Sequence, residues 1–447
     1  MADFTAMSFE ELLREGGFAC GCGKHHATDL KVFKSGAGVL DQLPEALKQQ
    51  SVAKPFVVCD KNTYRAAGER VEALLKQAGM DYTLFMLPME KVEPDETAVG
   101  AITMAYAPDS DMILAVGSGV INDICKVAAH AIGVRQGVVC TAPSMDGYAS
   151  NSSSMHVNGV KCTLYNACPS IIIADSRIIA QAPLRMLWSG LGDMLAKYVS
   201  VCEWRIAHLV IGEYYCESIA ALMRKALKRI MENAQRLNER DPAVIQAVTE
   251  GLVLSGVAMS FAQVSRPASG LEHYFSHMWE MMAMERHTHA DFHGIQVGVG
   301  TLKTLNLYEW IRRQTPDRAR GLEAMRRFDP KKWEEMVRRI FGSTAPQILA
   351  IEEKARKNDP VKHAQRLDRI VEGWNDILKI IDEELPPVSQ IEHVMKTLGM
   401  PMYPADLGIS AEDTRDAFIG SREIRDKYLS SSMLWDMGLM EEAAKIL

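Results

Sequence analysis

The hydrophobic pattern of this chain changes once, near residue 180, and that change restricts the fold more than any other feature. Before it, short apolar runs alternate with amphipathic stretches. Pro55–Asp60, Tyr82–Pro88, Asp111–Gly117, Gln136–Pro143 and Ser170–Asp175 each fit a strand, and 30–43 reads as an alternating strand ending in glycines. Helical spacing appears at 8–15, 63–79, 95–107 and 122–132. Strands alternating with helices predict a parallel α/β sheet. After residue 180 the strand-like runs stop. Apolar residues recur at helical spacing over 187–209, 212–238, 242–264, 270–285 and 294–313, and charge-rich helices fill 315–385. The pattern predicts an α/β domain over 1–180 and an all-α domain over 181–447. No flexible linker separates them, so a cleft between domains is the expected place for a site.

Composition narrows the function. The chain has 447 residues, 47% of them apolar, which is enough for a large core. A net charge of −7 with mixed signs argues against a dedicated nucleic-acid binder. The acidic N-terminal stretch lacks the apolar segment of a signal peptide. No run approaches the roughly 20 apolar residues of a membrane span. Nine cysteines, all at or before Cys216, do not suit a disulfide framework and fit a reducing cytoplasm.

The strand at 111–116 runs into Gly117-Ser118-Gly119-Val-Ile-Asn122-Asp123 and then a helix. Glycines at such a turn let a pyrophosphate approach backbone N–H groups at a helix N-terminus. Asn at 122 makes the match to Gly-x-Gly-x-x-Gly incomplete. Asp60, ending an earlier strand, has two readings. As a ribose acceptor it would disfavour the 2′-phosphate of NADP; otherwise it is a helix N-cap. A third loop, from Thr141 through Ser144, Asp146 and Tyr148 to Ser150, brings hydroxyls and one carboxylate to the carboxyl edge of the sheet.

Between Gly190 and Gly298 stand one carboxylate, Asp193, and two imidazoles, His273 and His293. Such a set can hold a divalent metal and leave a position open for substrate. Each residue also has a plainer reading: Asp193 and Lys197 as a helical pair, His273 as a buried helix histidine, His293 as a cap. Near the N-terminus, Cys20-Gly-Cys22-Gly-Lys-His25-His26 clusters four soft ligands. Cys-x-Cys is tight for structural zinc and no second cysteine pair follows, so a turn with incidental ligands is expected.

Several of these phrases resemble the metal-dependent polyol dehydrogenase superfamily, and within it the glycerol-1-phosphate dehydrogenases of the bacterial type. They are Gly-Ser-Gly-x-x-Asn-Asp at 117–123, Thr-Ala-Pro-Ser-Met-Asp-Gly-Tyr at 141–148, Gly-x-Gly-Asp-x-x-x-Lys at 190–197, Ser-Arg-Pro-Ala-Ser-Gly-x-Glu-His at 265–273 and His-Gly-x-Gln-Val-Gly at 293–298. Phrases near Leu407 and at Ile424-Arg-Asp-Lys-Tyr428 are also similar. The resemblance implies a Rossmann-like N-terminal domain and a helical, dehydroquinate synthase-like C-terminal domain.

It also implies that NAD or NADP is held by Asp60, Gly117, Ser118, Gly119, Asn122, Asp123, Thr141 and Ser144. One zinc or nickel ion would sit on Asp193, His273 and His293. Reduction of dihydroxyacetone phosphate to sn-glycerol 1-phosphate is the implied reaction. Asp146 and His277 would hold the hydroxyl or relay the proton, and Asp146, Lys161, Lys197 and Arg266 would bind substrate. As buried cations, Lys161, Lys197 and Arg266 would otherwise need an internal carboxylate. A homo-oligomer, dimer or larger, is expected. The related 3-dehydroquinate synthases resemble the chain at Arg266 and His277, but carry Glu in place of Asp193 and lack the Pro-Ala-Ser-Gly phrase. They are the alternative, beside a general glycerol or polyol dehydrogenase and a degenerate member that only binds nucleotide.

Overall fold

The computed structural model describes residues 3–157 and 160–447, excluding the side chains of residues 160 and 161. The chain forms two compact units, Met1–Met194 with Cys216–Ser265, and Leu195–Tyr215 with Arg266–Leu447.

The strands of the first unit are β1 (Phe18–Ala19), β2 (His25–His26), β3 (Val32–Gly36), β4 (Pro55–Cys59), β5 (Thr83–Met86), β6 (Met112–Gly117), β7 (Arg135–Cys140), β8 (Ser152–Val157), β9 (Val160–Tyr165) and β10 (Ile171–Asp175). Six of them form one sheet in the order β3-β10-β7-β6-β4-β5, and every pairing is parallel. Strands β4, β6 and β10 are buried along their whole length. Apolar runs without alternation are what a parallel sheet covered on both faces requires. The sequence reading places the main strands correctly. It misses the antiparallel β8–β9 hairpin, whose Asn151-Ser-Ser-Ser start reads as a polar loop.

The helices that matter here are α1 (Phe9–Leu12), α2 (Leu43–Gln49), α3 (Lys61–Thr63), α4 (Glu69–Gln77), α5 (Glu96–Ala105), α6 (Gly119–Ile132), α7 (Ser176–Ile179), α8 (Leu184–Leu195), α9 (Lys197–Ile211), α10 (Glu217–Met231), α11 (Pro242–Ala262), α12 (Leu271–Glu285) and α13 (His293–Ile311). Their ends follow local chemistry. Gly133, in the left-handed region at φ 85°, closes α6. Asp241 caps α11 by accepting from Ala243 and Val244, with Pro242 in the first turn.

The expected boundary at residue 180 differs from the units observed. Residues 181–194 and 216–265 belong with the sheet, because α11 packs on β3, on α7 and on the turn at 147–149. Among the described residues, α11 alone has the length and hydropathy to cross a membrane, with 21 residues and a mean of 1.5. The sequence reading overlooked this run. Its most apolar window is 78% buried, and a core helix contacted on all sides needs no polar face.

Helix α8 lies directly on the 141–150 loop. A Cβ at Gly190 would fall 1.8 Å from the Pro143 carbonyl oxygen, so only glycine fits. Gly190→Ala should therefore cost about 2–3 kcal/mol through overpacking. Gly100→Ala, in α5 with nothing within 4 Å of the added carbon, should instead stabilise by about 0.5–1 kcal/mol. Urea unfolding midpoints of the two variants would check the pair; equal midpoints would refute the close approach.

Candidate active site

In the first unit, the chain steps from β4 to β5 on one side of it and then crosses back to β6 on the other, so successive connections run in opposite directions about β4. That is a topological switch point, and ligands bind at the carboxyl ends of strands flanking one. Two of the expected cofactor elements sit there. Val58 pairs with Ala115, so two residues further on Asp60 and Gly117 end adjacent strands. A Cβ at Gly117 would meet the Ile121 side chain at 2.6 Å, which explains a glycine in so abrupt a strand-to-helix turn. Ser118 is the N-cap of α6, with no side-chain capping bond, and Gly119 begins the helix. Asp60 caps α3: its Oδ1 accepts from the N–H groups of Asn62 at 2.8 Å and Thr63 at 2.7 Å. The cap reading of Asp60 is thus the one the fold displays.

Asn122 and Asp123 are engaged elsewhere. Asn122 is fully buried; its amide donates to the Gly147 carbonyl at 3.3 Å, and its Oδ1 accepts from Gln136 at 3.2 Å. Asp123 pairs with Lys126 at 2.9 Å and accepts from the Ser154 N–H at 2.9 Å. Both side chains brace the 147–154 region. Thr141 donates its N–H to the Gly117 carbonyl at 3.0 Å, and the Ser144 carbonyl accepts from Ser189 at 2.7 Å. The loop is thereby tied to the glycine turn and to α8. At its far end, Asp146 and Asp193 meet. The Asp146 N–H donates to Asp193 Oδ2 at 2.9 Å, and Asp146 Oδ2 accepts from Ser255 at 2.8 Å. Asp193 is fully buried.

The second unit gathers the imidazoles. A Cβ at Gly300 would fall 2.4 Å from the Glu272 carbonyl oxygen, so α12 and α13 approach backbone to backbone. That approach sets the His273 and His293 ring centroids 5.3 Å apart, with His277 at 6.2 Å from the first and 5.6 Å from the second. His273 Nδ1 lies 2.8 Å from Glu272 Oε1. His293 Nδ1 lies 3.2 Å from Glu280 Oε1 and 3.2 Å from Ser276 Oγ. A ring that gives its Nδ1 hydrogen to a carboxylate keeps an Nε2 lone pair, the pattern that orients metal-bound histidines. His277, Glu280 and His293 also lie close enough to form a ligand group of their own. Glu280 and Glu272 were not anticipated; Glu272 adjoins His273 in α12 and was a signal available in the sequence, whereas Glu280 in α12 reaches His293 in α13 only through the fold.

The expected substrate cations divide. The Lys197 ammonium is fully buried and donates to the Ala268 carbonyl at 3.1 Å. Arg266 is a correction. Its guanidinium, 1% exposed, bonds both oxygens of Glu213, with Nε to Oε1 at 2.7 Å, and donates to the Tyr428 carbonyl at 2.9 Å. Glu213 is the internal carboxylate that a buried cation needs, so Arg266 anchors the 265–270 segment. The Lys161 side chain lies outside the described residues. Lys427, which sequence reasoning passed over, donates to the Ser269 carbonyl at 3.1 Å. Burial, and then the Arg266 and Arg425 charges, hold its ammonium well below the usual lysine range.

The family described as iron-containing alcohol dehydrogenase matches residues 34–183. A glycerol-1-phosphate dehydrogenase [NAD(P)+] of Bacillus licheniformis is 32% identical over 345 residues, covering 75% of this chain and 86% of that protein. One from Halalkalibacterium halodurans is 29% identical over 412 residues, covering 91% and 93%. The chain belongs to the glycerol-1-phosphate dehydrogenase family. Solved structures share the fold. Schizosaccharomyces pombe glycerol dehydrogenase aligns with a TM-score of 0.62 at 15% identity, covering 93% of this chain and 90% of that one. Sulfoacetaldehyde reductase from Bifidobacterium kashiwanohense, solved with NAD+, aligns at 0.61 and 14%, covering 96% and 99%.

Behind the histidines this family member buries a pair of carboxylates. Glu272 Oε1 accepts from the Gly270 N–H at 2.6 Å as well as from His273. Glu203 Oε2 accepts from the Leu271 N–H at 2.9 Å, and its Oε1 accepts from the Ser430 N–H at 2.9 Å. Burial, and next the Glu272 charge, push Glu203 from its ordinary 4.5 up to about 7. The native state therefore holds a proton that the unfolded chain releases. This contribution to stability is complete below pH 4.5 and is lost as pH rises through about 7, by on the order of 3 kcal/mol at most. Urea midpoints measured between pH 5 and 8 should fall more steeply with pH for the parent than for Glu203→Gln. Parallel slopes would show that Glu203 is already ionised at pH 5.

Proposed function

We propose that this chain reduces dihydroxyacetone phosphate to sn-glycerol 1-phosphate, reversibly, at a divalent metal site held by Asp193, His273 and His293. The observation that carries the reading is the pair of imidazoles in the second unit, with ring centroids 5.3 Å apart and each Nδ1 within 3.2 Å of a carboxylate oxygen. The donor chemistry fits a zinc or nickel ion, which two imidazoles and one carboxylate can hold with a position left for substrate. Asp193 supplies the carboxylate, two residues before the second unit begins. The curated relatives carrying the name glycerol-1-phosphate dehydrogenase [NAD(P)+] supply the substrate class.

When bound, such an ion polarises a carbonyl oxygen, and the nicotinamide cofactor provides the hydride. The protein's own residues do the rest. The Gly117–Gly119 turn and the α6 N-terminus receive the pyrophosphate. Asp60, whose Oδ1 is committed to the cap, would accept from a ribose hydroxyl through Oδ2. Thr141 and Ser144 hold the loop against that turn. Asp146, bound to Ser255, and His277 are the groups that hold or move the hydroxyl proton. Lys197 and Lys427 line the 268–269 backbone and receive the phosphate. A dianion there offsets the burial and cationic neighbours that lower the Lys427 ammonium, which a neutral polyol would not. That preference separates this reading from a general glycerol dehydrogenase.

The metal assignment has a direct test. Asp193→Ala, His273→Ala and His293→Ala should each lose one metal equivalent per chain by elemental analysis while keeping the parent's circular dichroism. Full metal content in all three would sink the assignment.

The substrate assignment rests on kinetics. Dihydroxyacetone phosphate should be reduced with a far higher kcat/KM than dihydroxyacetone. Lys427→Ala should lower kcat/KM for the phosphorylated substrate by about 10–100-fold, the equivalent of about 1.5–3 kcal/mol, and leave dihydroxyacetone little changed. Equal losses for both substrates would remove Lys427 from the phosphate site. Equal parent efficiencies, or a product consumed by an enzyme specific for the 3-phosphate enantiomer, would favour a general polyol dehydrogenase.

A further inference from the structure

The N-terminal cysteines and a histidine meet a fourth ligand from far along the chain. Cys20, Cys22, His26 and Cys216 place their Sγ and imidazole nitrogen atoms within 4.8 Å of one another. All four belong to the first unit. Cys20 Sγ lies 3.7 Å from Cys216 Sγ, His26 Nε2 lies 3.6 Å from Cys216 Sγ, and Cys22 Sγ lies 3.3 Å from His26 Nε2. In a tetrahedron with Zn–S of about 2.3 Å and Zn–N of about 2.0 Å, the S···S and S···N edges come to about 3.8 and 3.5 Å. The observed separations match those edges.

The surroundings are built for the same purpose. His26 is fully buried, and its Nδ1 lies 2.7 Å from the Phe261 carbonyl oxygen. That carbonyl can only accept, so Nδ1 carries the hydrogen and Nε2 faces the sulfurs with a lone pair. The ring is held in place by Phe261, stacked at 5.8 Å, and by Phe4, edge-on at 5.7 Å. Cys20 and Gly23 close a turn, with the Gly23 N–H donating to the Cys20 carbonyl at 3.1 Å, and Gly23 takes φ 85° there. The turn folds Cys22 back beside Cys20. Cys216 is the N-cap of α10.

We propose that Cys20, Cys22, His26 and Cys216 form a second, structural metal site that takes a zinc ion in a closed Cys3His shell. Four protein ligands leave no open position, so the site ties the β1–β2 hairpin to the start of α10 and takes no part in the reaction. It shares no residue with the histidine site and stands whether or not that reading holds. The expectation of incidental ligands in a turn changes because the fourth ligand arrives 190 residues after His26.

The test uses the full chain, stripped by chelator under reducing conditions and reloaded with zinc ions alone. The unaltered protein should bind one zinc equivalent more than Cys20→Ser/Cys22→Ser. X-ray absorption at the zinc edge of His293→Ala, in which the cysteines are intact, should show mainly sulfur neighbours near about 2.3 Å. Cobalt loaded into that chain should give strong thiolate-to-metal absorption in the near ultraviolet. These two spectra decide the matter even if the cysteine variant fails to fold. A zinc shell of nitrogen and oxygen alone would overturn the proposal. So would a Cys20–Cys216 disulfide in the freshly isolated protein, seen as a mass gain of two hydrogens on reduction. Metal lost from His293→Ala with the sulfur shell retained would support both sites; metal lost only from the sulfur shell of the cysteine variant would support this one alone.

Discussion

A parallel sheet must be covered on both faces, and the organisation of the first unit follows from that requirement. Strands as apolar as Pro55–Cys59 and Ile171–Asp175 cannot present a face to water. The helices between strands cover part of the sheet. The remainder is supplied from far along the chain, by α11, which packs on β3 and on the turn at 147–149. Its 21 residues are apolar nearly all round because it is enclosed. The same packing holds the 141–150 loop in place, since α8 rests on Pro143 at Gly190. The loop in turn holds Asp146 against Asp193. Sheet burial and carboxylate placement are thus one structural consequence.

In the second unit the corresponding constraint is the contact of α12 with α13 at Gly300. It places two imidazoles side by side, with buried Glu272 at Nδ1 of one and part-buried Glu280 at Nδ1 of the other. Burying Glu272 and Glu203 together is electrostatically costly, and the raised pKa of Glu203 is the relief. Glu272 accepts from the Gly270 N–H and lies against His273 Nδ1, while Glu203 accepts from the Leu271 and Ser430 N–H groups. The Ser-Arg-Pro-Ala-Ser-Gly segment is clamped at its carbonyls by Lys197 and Lys427 and at its arginine by Glu213. The segment leads directly into α12, with Gly270 as its N-cap.

Much of this was legible in the residues. Strand identities followed from uninterrupted apolar runs, and the helical second half from its 3.6-residue period. The Gly-Ser-Gly turn was recognisable because strand, glycines and helix are contiguous. Asp60 was ambiguous: a carboxylate at a strand end serves equally as ribose acceptor or cap, and its hydrogen bonds to Asn62 and Thr63 are those of a cap. Arg266 misled because a cation in a phrase that resembles the family's suggests an anionic ligand, whereas its anion is Glu213, 53 residues earlier. The boundary at 180 shifted because periodicity reports element type and carries no information on which unit a helix packs against.

The sequence alone determined what depends on neighbours within a few residues: strands, helices, caps, the glycine turn, and the donor types Asp193, His273 and His293. Only the tertiary structure decided what depends on residues far apart along the chain. It enclosed α11, set Glu213 against Arg266, put Glu272 and Glu280 behind the histidines, and brought Cys216 to Cys20, Cys22 and His26. The physical reason is that local propensity and periodicity act over one or two turns, while ion pairs and metal shells are satisfied by whichever group the packed backbone delivers within a few ångströms.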